Sequence, residues 1–582
     1  MRKILLLAFI SIGIISCSSQ SSQSKAQGEV NAKFESYKSN FVDALWKLYP
    51  GWASGVGYHN YDSVLVIPDE AMRNSELAFA KANLDSLATF SKDQLSDNNK
   101  TDYILIENQL HSIEWAVKDL RSYEWDPSEY NVCGSFSEML NNNYDSLDTR
   151  LHNFNLRMQS VPAYYAAAKA NIKNPTLEHT QLAIEQNAGG SSVFTSDLNS
   201  AIEKSKLSGE EKAQMKERAA IAVSAINDYV AFLKSMKNDH PRSFRLGKEL
   251  YMQKFKYDIQ SGYSVDEIYK KAVEHKKELH GKMYDLAIQL WPKYMGKQPQ
   301  PSDSLKLIRM VIDRLSLEHV QPDSFQATIE KQIPVLVQFI KDKNLIYLDP
   351  SKPLVVRREP DYMAGVAGAS ISAPGPYDKN GNTYYNVGSL SGWDKERAES
   401  YLREYNKYLL QILSIHEAIP GHYTQLIYSN QSPSIIKSIL GNGAMVEGWA
   451  VYSERMMLEN GYGNNEPEMW LMYYKWNLRS TCNTILDISV HSGEMTKEQA
   501  MNLLMNEAFQ QQTEAENKWR RVSLTSVQLC SYFTGYTEIY DLREEQKKAL
   551  GDKFDLKKFH EKSLSYGSSP VQYIRQLMMT AK

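Results

Sequence analysis

Five stretches of the chain, Phe34 to Leu48, Leu77 to Phe90, Lys212 to Met236, Val265 to Leu290 and Ser304 to Leu315, repeat apolar residues at helical spacing with charged residues between them. An amphipathic helix buries its apolar stripe only by packing on other elements, so a chain dominated by such stretches folds as packed helices. Pro68, Pro127, Pro162, Pro175, Pro241, Pro292 and Pro301 punctuate them. One region departs from the pattern. Asn344 to Val356 is aliphatic and β-branched, Tyr362 to Pro376 is rich in Gly, Ala and Ser, and Tyr384 to Val387 follows a Gly-Asn turn. This region predicts a small β-sheet, with helices resuming near Trp393. The expectation is a mostly α fold in one integrated unit: a helical N-terminal half over 31–343, then 344–582 holding the sheet and a second helical half.

The ends and the charge narrow the function. Arg2 and Lys3 precede an apolar run, Ile4 to Ile15, too short to span a bilayer. Ser16-Cys17 closes it as a bacterial lipoprotein cleavage box would. The sequence therefore predicts a signal peptide over 1–16, a lipid anchor on Cys17 and a flexible Ser/Gln tether over 17–30. The place would be the bacterial cell envelope, periplasmic or outer membrane, with membrane contact through the lipid only. Of the 582 residues, 66 are Lys or Arg and 69 are Asp or Glu, a balance that gives no reason to expect a nucleic-acid partner. Cys133, Cys482 and Cys530 are widely spaced and form neither a disulfide framework nor a metal motif; buried free thiols are expected, with one disulfide open.

The chemistry is concentrated in His416-Glu417-Ala-Ile-Pro420-Gly421-His422, which follows an amphipathic run predicted as one helix from Tyr401 to Ile415. Two His bracketing a Glu is the logic of zinc hydrolases: neutral imidazoles hold the ion and the carboxylate takes a proton from the water bound to it. In the usual spacing the two His are four residues apart on one helix face. Here they are six apart, and a regular helix would leave the rings about 120° apart. Pro420 must open the helix, and Gly421 permits a tight or left-handed turn. A two-residue bulge would then return His422 to the side of His416. A tetrahedral site needs a third ligand. Glu447, a lone carboxylate in the apolar stretch Gly443 to Tyr452, needs a cation or a proton once buried. Zinc would serve; a salt bridge to an Arg is the alternative, and Glu454, two turns on, is the rival ligand. Gly448 and Ala450 leave room for a close helix approach.

Further blocks join this motif: Glu447-Gly-Trp-Ala-Val-Tyr452, Leu478-Arg479 through Asp487 and His491, Glu514-Ala-Glu516, Gln528 to Gly535, and Phe559-His560 through Gly567 and Pro570. Together they resemble a bacterial family numbered 885 among the domains of unknown function, grouped with gluzincin-type metallopeptidases. The resemblance implies a helical bowl around a central cleft, with one zinc ion on His416, His422 and Glu447. Where gluzincins often carry an Asp four residues after the Glu ligand to orient a zinc His, this chain has Val451. Asp487 and His491, i and i+4 on one helix face, are then expected to orient a ligand His and to donate to the developing oxyanion, respectively; a structural Asp–His pair is the alternative. The family block favours Tyr532 over Tyr536 as an oxyanion donor. The resemblance further implies that Ala369 to Ala373, or Tyr384 to Val387, is an edge strand pairing with extended substrate.

The function so implied is an envelope-anchored zinc metallopeptidase acting on short peptides, with Glu417, Tyr532 and His491 catalytic. A zinc hydrolase of another amide or ester, and a peptide-binding lipoprotein without catalysis, are the competing readings.

Overall fold

The computed structural model describes the backbone of residues 12–359, 369–378 and 381–580, and the side chains of 27–359, 369–378 and 381–579. Residues 1–11, within the expected signal peptide, and the side chain of Cys17 lie outside the described residues. The first helix, Ile12–Leu48, runs through 17–30, the segment expected to be a tether. Among the described residues no helix is long and apolar enough to cross a membrane.

The protein is mostly helical with one small sheet, as its sequence predicts. The amphipathic stretches are the helices Ile12–Leu48, Glu70–Leu87, Gly209–Ser235, Val265–Met295 and Ser304–Leu315. Their starts follow from capping. Ser208 with Glu211, and Ser264 with Glu267, form capping boxes, while Asp69 accepts from the Met72 N–H and so starts its helix well before Leu77. The hydrophobic cores divide earlier than 343/344. One core runs from Leu246 to Ile574 and contains the sheet. A second fills the bundle between Tyr130 and Leu233, and a third joins Phe34 to Ile113 with Ile436, Ile439 and Leu440. A buried polar knot fastens that last junction. Asp102 is fully buried and accepts from Lys38 Nζ at 2.7 Å, from Ser434 Oγ at 2.7 Å and from Lys437 Nζ. Cys133, Cys482 and Cys530 are buried free thiols.

The sheet has strands β1 (Leu354–Arg358), β2 (Ala369–Ser372) and β3 (Thr383–Val387) in the order β1-β3-β2. β3 is central, parallel to β1 with Leu354 opposite Thr383 and antiparallel to β2 with Ala369 opposite Val387. Tyr384 to Val387 is therefore not an edge, because both of its sides are hydrogen-bonded. The edge reading holds for Ala369 to Ser372 alone.

Six helices surround the site: α1 (Leu409–Glu417), α2 (His422–Asn430), α3 (Gly443–Glu459), α4 (Pro467–His491), α5 (Gln512–Leu524) and α6 (Cys530–Leu550). α3 and α6 cross at two glycines. A Cβ on Gly535 would stand 1.7 Å from the Ala444 carbonyl oxygen, and one on Gly448 would stand 2.4 Å from Gly535 Cα. No side chain fits between backbones this close, and none of these obstructing atoms is a flexible side-chain end. Gly535→Ala should therefore cost the upper end of roughly 1–3 kcal/mol, read as a lower denaturation midpoint at unchanged m-value. An Ala at the exposed Gly209, where a Cβ meets nothing within 4 Å, is the neutral control.

Candidate metal centre

The run from Tyr401 to Ile415 is not one helix. A helix Lys395–Glu404 ends and α1 begins at Leu409, because the buried Asn406 side-chain oxygen takes the N–H groups of Tyr408 at 3.1 Å and Leu409 at 3.3 Å. α1 carries His416 and Glu417 on its last turn. The chain then turns through Ala418-Ile419-Pro420-Gly421, and α2 starts at His422. The expected two-residue bulge is thus a full break between two helices. Gly421 has φ −72°, so its freedom to be left-handed is not what the turn uses. It is required by space: a Cβ there would lie 1.8 Å from the His416 carbonyl oxygen, and its N–H donates to the Ile415 carbonyl at 3.0 Å. Trp449 Nε1 of α3 donates to the Pro420 carbonyl at 2.8 Å and holds the turn against α3.

The break does bring the two rings together, with centroids 4.8 Å apart and planes at 87°. Glu447 of α3 completes the group. Its Oε2 lies 3.4 Å from His422 Nε2 and 3.7 Å from His416 Nε2, and the Arg salt bridge considered for it does not form. That oxygen is buried and has no hydrogen-bond partner among the described residues. Donors about 2.0–2.1 Å from a tetrahedral zinc stand roughly 3.3 Å from one another, so the two carboxylate-to-imidazole separations suit a zinc ligand set, as does the chemistry of the three groups. Burial pushes the Glu447 carboxyl up, but the two imidazoles outweigh it and hold it well below the usual range. Burial lowers the His416 imidazole, and Glu447 and Glu454 raise it to about 10. A dication in their midst would take the place of those protons.

Glu417 is a second nearby carboxylate: one atom each of His416, Glu417 and His422 lie within 4.8 Å of one another. The close approach of Glu447 Oε2 to both Nε2 atoms makes it the better candidate ligand and leaves Glu417 outside the candidate ligand set. Burial pushes the Glu417 carboxyl up, against the pull of His422 and His416. A raised carboxyl is a better general base near neutral pH.

The group that orients His416 is Glu454, expected only as a rival ligand. Its Oε1 accepts from His416 Nδ1 at 2.6 Å and from Trp476 Nε1 of α4 at 2.9 Å. An oxygen accepting twice fixes the hydrogen on Nδ1, so His416 presents the Nε2 lone pair to the site. Seven residues separate Glu447 from Glu454, two turns of one helix face.

Asp487 does not orient a ligand histidine. It is fully buried and accepts from Tyr251 Oη at 2.9 Å, the Val527 N–H at 2.9 Å and the Leu529 N–H at 3.1 Å. Val527 has φ +70°, an unfavourable conformation for a β-branched residue, and Asp487 holds the turn in which it sits. His491 is no oxyanion donor either. Its Nε2 hydrogen is shared between the Val522 carbonyl at 2.8 Å and the Thr525 carbonyl at 2.9 Å. Both residues hold the joint between α5 and α6 from behind, a structural pair that acts on Tyr532 through the backbone.

Tyr532, on the first turn of α6, reaches the centre: its ring lies 6.4 Å from that of His416 at 21°. Its hydroxyl accepts from Arg521 Nη2 at 3.1 Å. Burial, reinforced by Glu447, pushes the phenol up to about 12, so it keeps its proton to donate. Tyr536, one turn on, accepts instead from Arg455 Nη1 at 2.7 Å and packs near His275. Arg521 and Trp476 went unremarked in the sequence; no motif marks them, since they reach the site from α5 and α4, whereas Gln528 opens the block that carries Tyr532.

Glu454→Gln should weaken zinc binding about 10–100-fold, measured by competition with a chelator. Asp487→Asn should leave that affinity unchanged and lower thermal stability instead. The opposite result would return Asp487 to the metal.

The chain is similar to two solved structures. One, "a putative lipoprotein of unknown function from Shewanella oneidensis", is 56% identical with a TM-score of 0.85, over 94% of this chain and 99% of that one. The other, described as "the putative lipoprotein from Colwellia psychrerythraea", shares the fold with a TM-score of 0.76 at 18% identity, over 94% of this chain and 98% of that one. No curated protein matches the chain. The family described as bacterial protein of unknown function (DUF885) matches residues 50–578, nearly the whole length over which the helices, the sheet and the His-Glu-His group were described, and the chain belongs to it.

Proposed function

We propose that this protein is a zinc-dependent hydrolase of peptide bonds, anchored in the bacterial cell envelope through Cys17. The convergence of His416 Nε2, His422 Nε2 and Glu447 Oε2 on one buried point, with Glu417 beside it, carries the reading. Zinc bound there supplies Lewis acidity toward a water and a carbonyl. Glu417 takes the proton from the attacking water and passes it to the leaving amine. Tyr532, kept protonated and held by Arg521, donates to the oxygen on which charge develops. Glu454 and Trp476 keep the His416 ring in one tautomer and orientation.

Peptides are favoured over other acyl substrates by β2. It lies against α1, and among the described residues it has β3 on one side and no strand on the other. Such an edge offers N–H and C=O groups to an extended backbone.

The test is incubation of the purified holoprotein with a mixed peptide library and mass spectrometry of the products. Cleavage should occur, stop with chelator and return with added zinc. Glu417→Gln should abolish turnover while keeping its zinc; turnover comparable to wild type would remove Glu417 from the mechanism. Esters or non-peptide amides turned over in place of peptides would move the substrate class, and peptide binding without turnover would make this a binding protein.

The oxyanion assignment separates by substitution. Tyr532→Phe keeps the ring and its packing, and should lower kcat on the order of 10²–10³-fold with zinc content intact. Tyr536→Phe should cost far less, since its hydroxyl is committed to Arg455.

A further inference from the structure

α5 turns an unusual face toward the metal centre. Glu514, Lys518 and Arg521 follow one another at i, i+4 and i+7 on that face. Glu514 is paired with Arg479 of α4, whose guanidinium also donates to Tyr405 Oη at 3.4 Å. The two cations that follow have no such partner. Lys518 is 3% exposed, yet its ammonium makes no ion pair and no hydrogen bond among the described residues. Arg521 bonds only neutral oxygens, Gln528 Oε1 at 2.7 Å and Tyr532 Oη at 3.1 Å. A guanidinium cannot escape its charge by losing a proton, and a buried ammonium without an anion is costly. Burial, with repulsion from Arg479 and Arg521, drives the Lys518 amine well below its ordinary value, against the attraction of Glu514 on the same helix. Glu447 attracts both cations from a distance, but its Oε2 faces the two imidazoles.

These cations stand beside the chemistry. Arg521 touches Tyr532, Tyr532 faces the His416 ring, and Lys518 is one turn of α5 further back. The row Lys518, Arg521, Tyr532, His416 leads from a pair of basic side chains without an ion pair among the described residues to the candidate ligand histidines.

We propose that Lys518 and Arg521 form a subsite for a substrate carboxylate, so that the preferred substrates are peptides with a free C-terminus, cut one or two residues from it. The reach is short because an extended residue spans only about 3.3–3.6 Å. This rests on the hydrolase reading above, and it turns a general peptidase into one that trims C-terminal ends. Lys518 anchors the carboxylate; Arg521 shares it while holding the Tyr532 hydroxyl, so that occupancy of the subsite and placement of the oxyanion donor are linked through one guanidinium.

The experiment uses one mixed tetrapeptide library made twice, as free acids and as C-terminal amides, with zinc-loaded protein. The acids should lose one or two C-terminal residues, with kcat/KM at least tenfold above that for the amides. Lys518→Met should raise KM for the acids tenfold or more and bring the acid-over-amide ratio close to one, with zinc content unchanged; Lys518→Arg should restore part of the preference. Equal cleavage of acids and amides by the wild-type protein would overturn the subsite and leave the hydrolase standing. Hydrolysis of neither library would overturn the hydrolase reading. The subsite is then judged on binding alone, by calorimetric titration of both libraries into the Glu417→Gln holoprotein. Tighter binding of the acids that Lys518→Met removes would sustain it, and equal affinities would end it. That binding arm also serves if Lys518→Met fails to fold, because the acid–amide comparison needs no change at Lys518.

Discussion

The site depends on one steric constraint, the crossing of α3 and α6 at Gly448 and Gly535. The two backbones approach so closely that neither position accepts a Cβ. Glu447 is the residue next to Gly448, and Tyr532 lies one turn before Gly535. The contact that fixes the two helices therefore fixes the Glu447 carboxylate, the candidate ligand, relative to the Tyr532 phenol. Packing supplies the rigidity a metal site needs, since a ligand carboxylate on a loosely packed helix would lose the sub-ångström placement that coordination requires.

A second crowding event acts on the histidines. α1 and α2 are separate helices, and Gly421 lets the turn between them fold back on the carbonyls of Ile415 and His416. The standard metallopeptidase helix presents two histidines from successive turns of a continuous backbone. This chain reaches the same convergence by breaking the helix, and Trp449 of α3 hydrogen-bonds the break. α3 thus supports the centre three times, through Glu447, Glu454 and Trp449.

Behind the centre, buried polar groups do positional work. Asp487 and His491 satisfy backbone groups around the joint of α5 and α6, including the left-handed Val527, and so set where Tyr532, Arg521 and Lys518 stand. A buried carboxylate with three donors is well satisfied, and its value lies in orientation rather than reactivity. That i,i+4 Asp–His pattern reads equally well as catalysis or as structure, and only the identity of its partners separates the two.

Much of this was legible beforehand, because it follows from short-range rules. The 3.6-residue period marks helices, the aliphatic and β-branched run from Asn344 marks a sheet, Pro420 forces the helix open, and a lone carboxylate among apolar residues needs a cation or a proton. The position of Tyr532 in a block that recurs with the motif agrees with its place facing His416, while Tyr536 turns to Arg455. What the linear chain could not reveal are contacts between residues far apart in it. Glu454 rather than Asp487 meets His416 because α3 passes the end of α1, while the face of α4 bearing Asp487 turns to Tyr251 and the Val527 turn. Ala369 to Ser372 rather than Tyr384 to Val387 is an edge because strand order is a long-range pairing that alternation does not encode. The setting of Lys518 and Arg521 was invisible for the same reason: a charge in a sequence has no partner until the fold assigns one, and here, among the described residues, the fold gives neither side chain an ion pair beside the candidate metal centre.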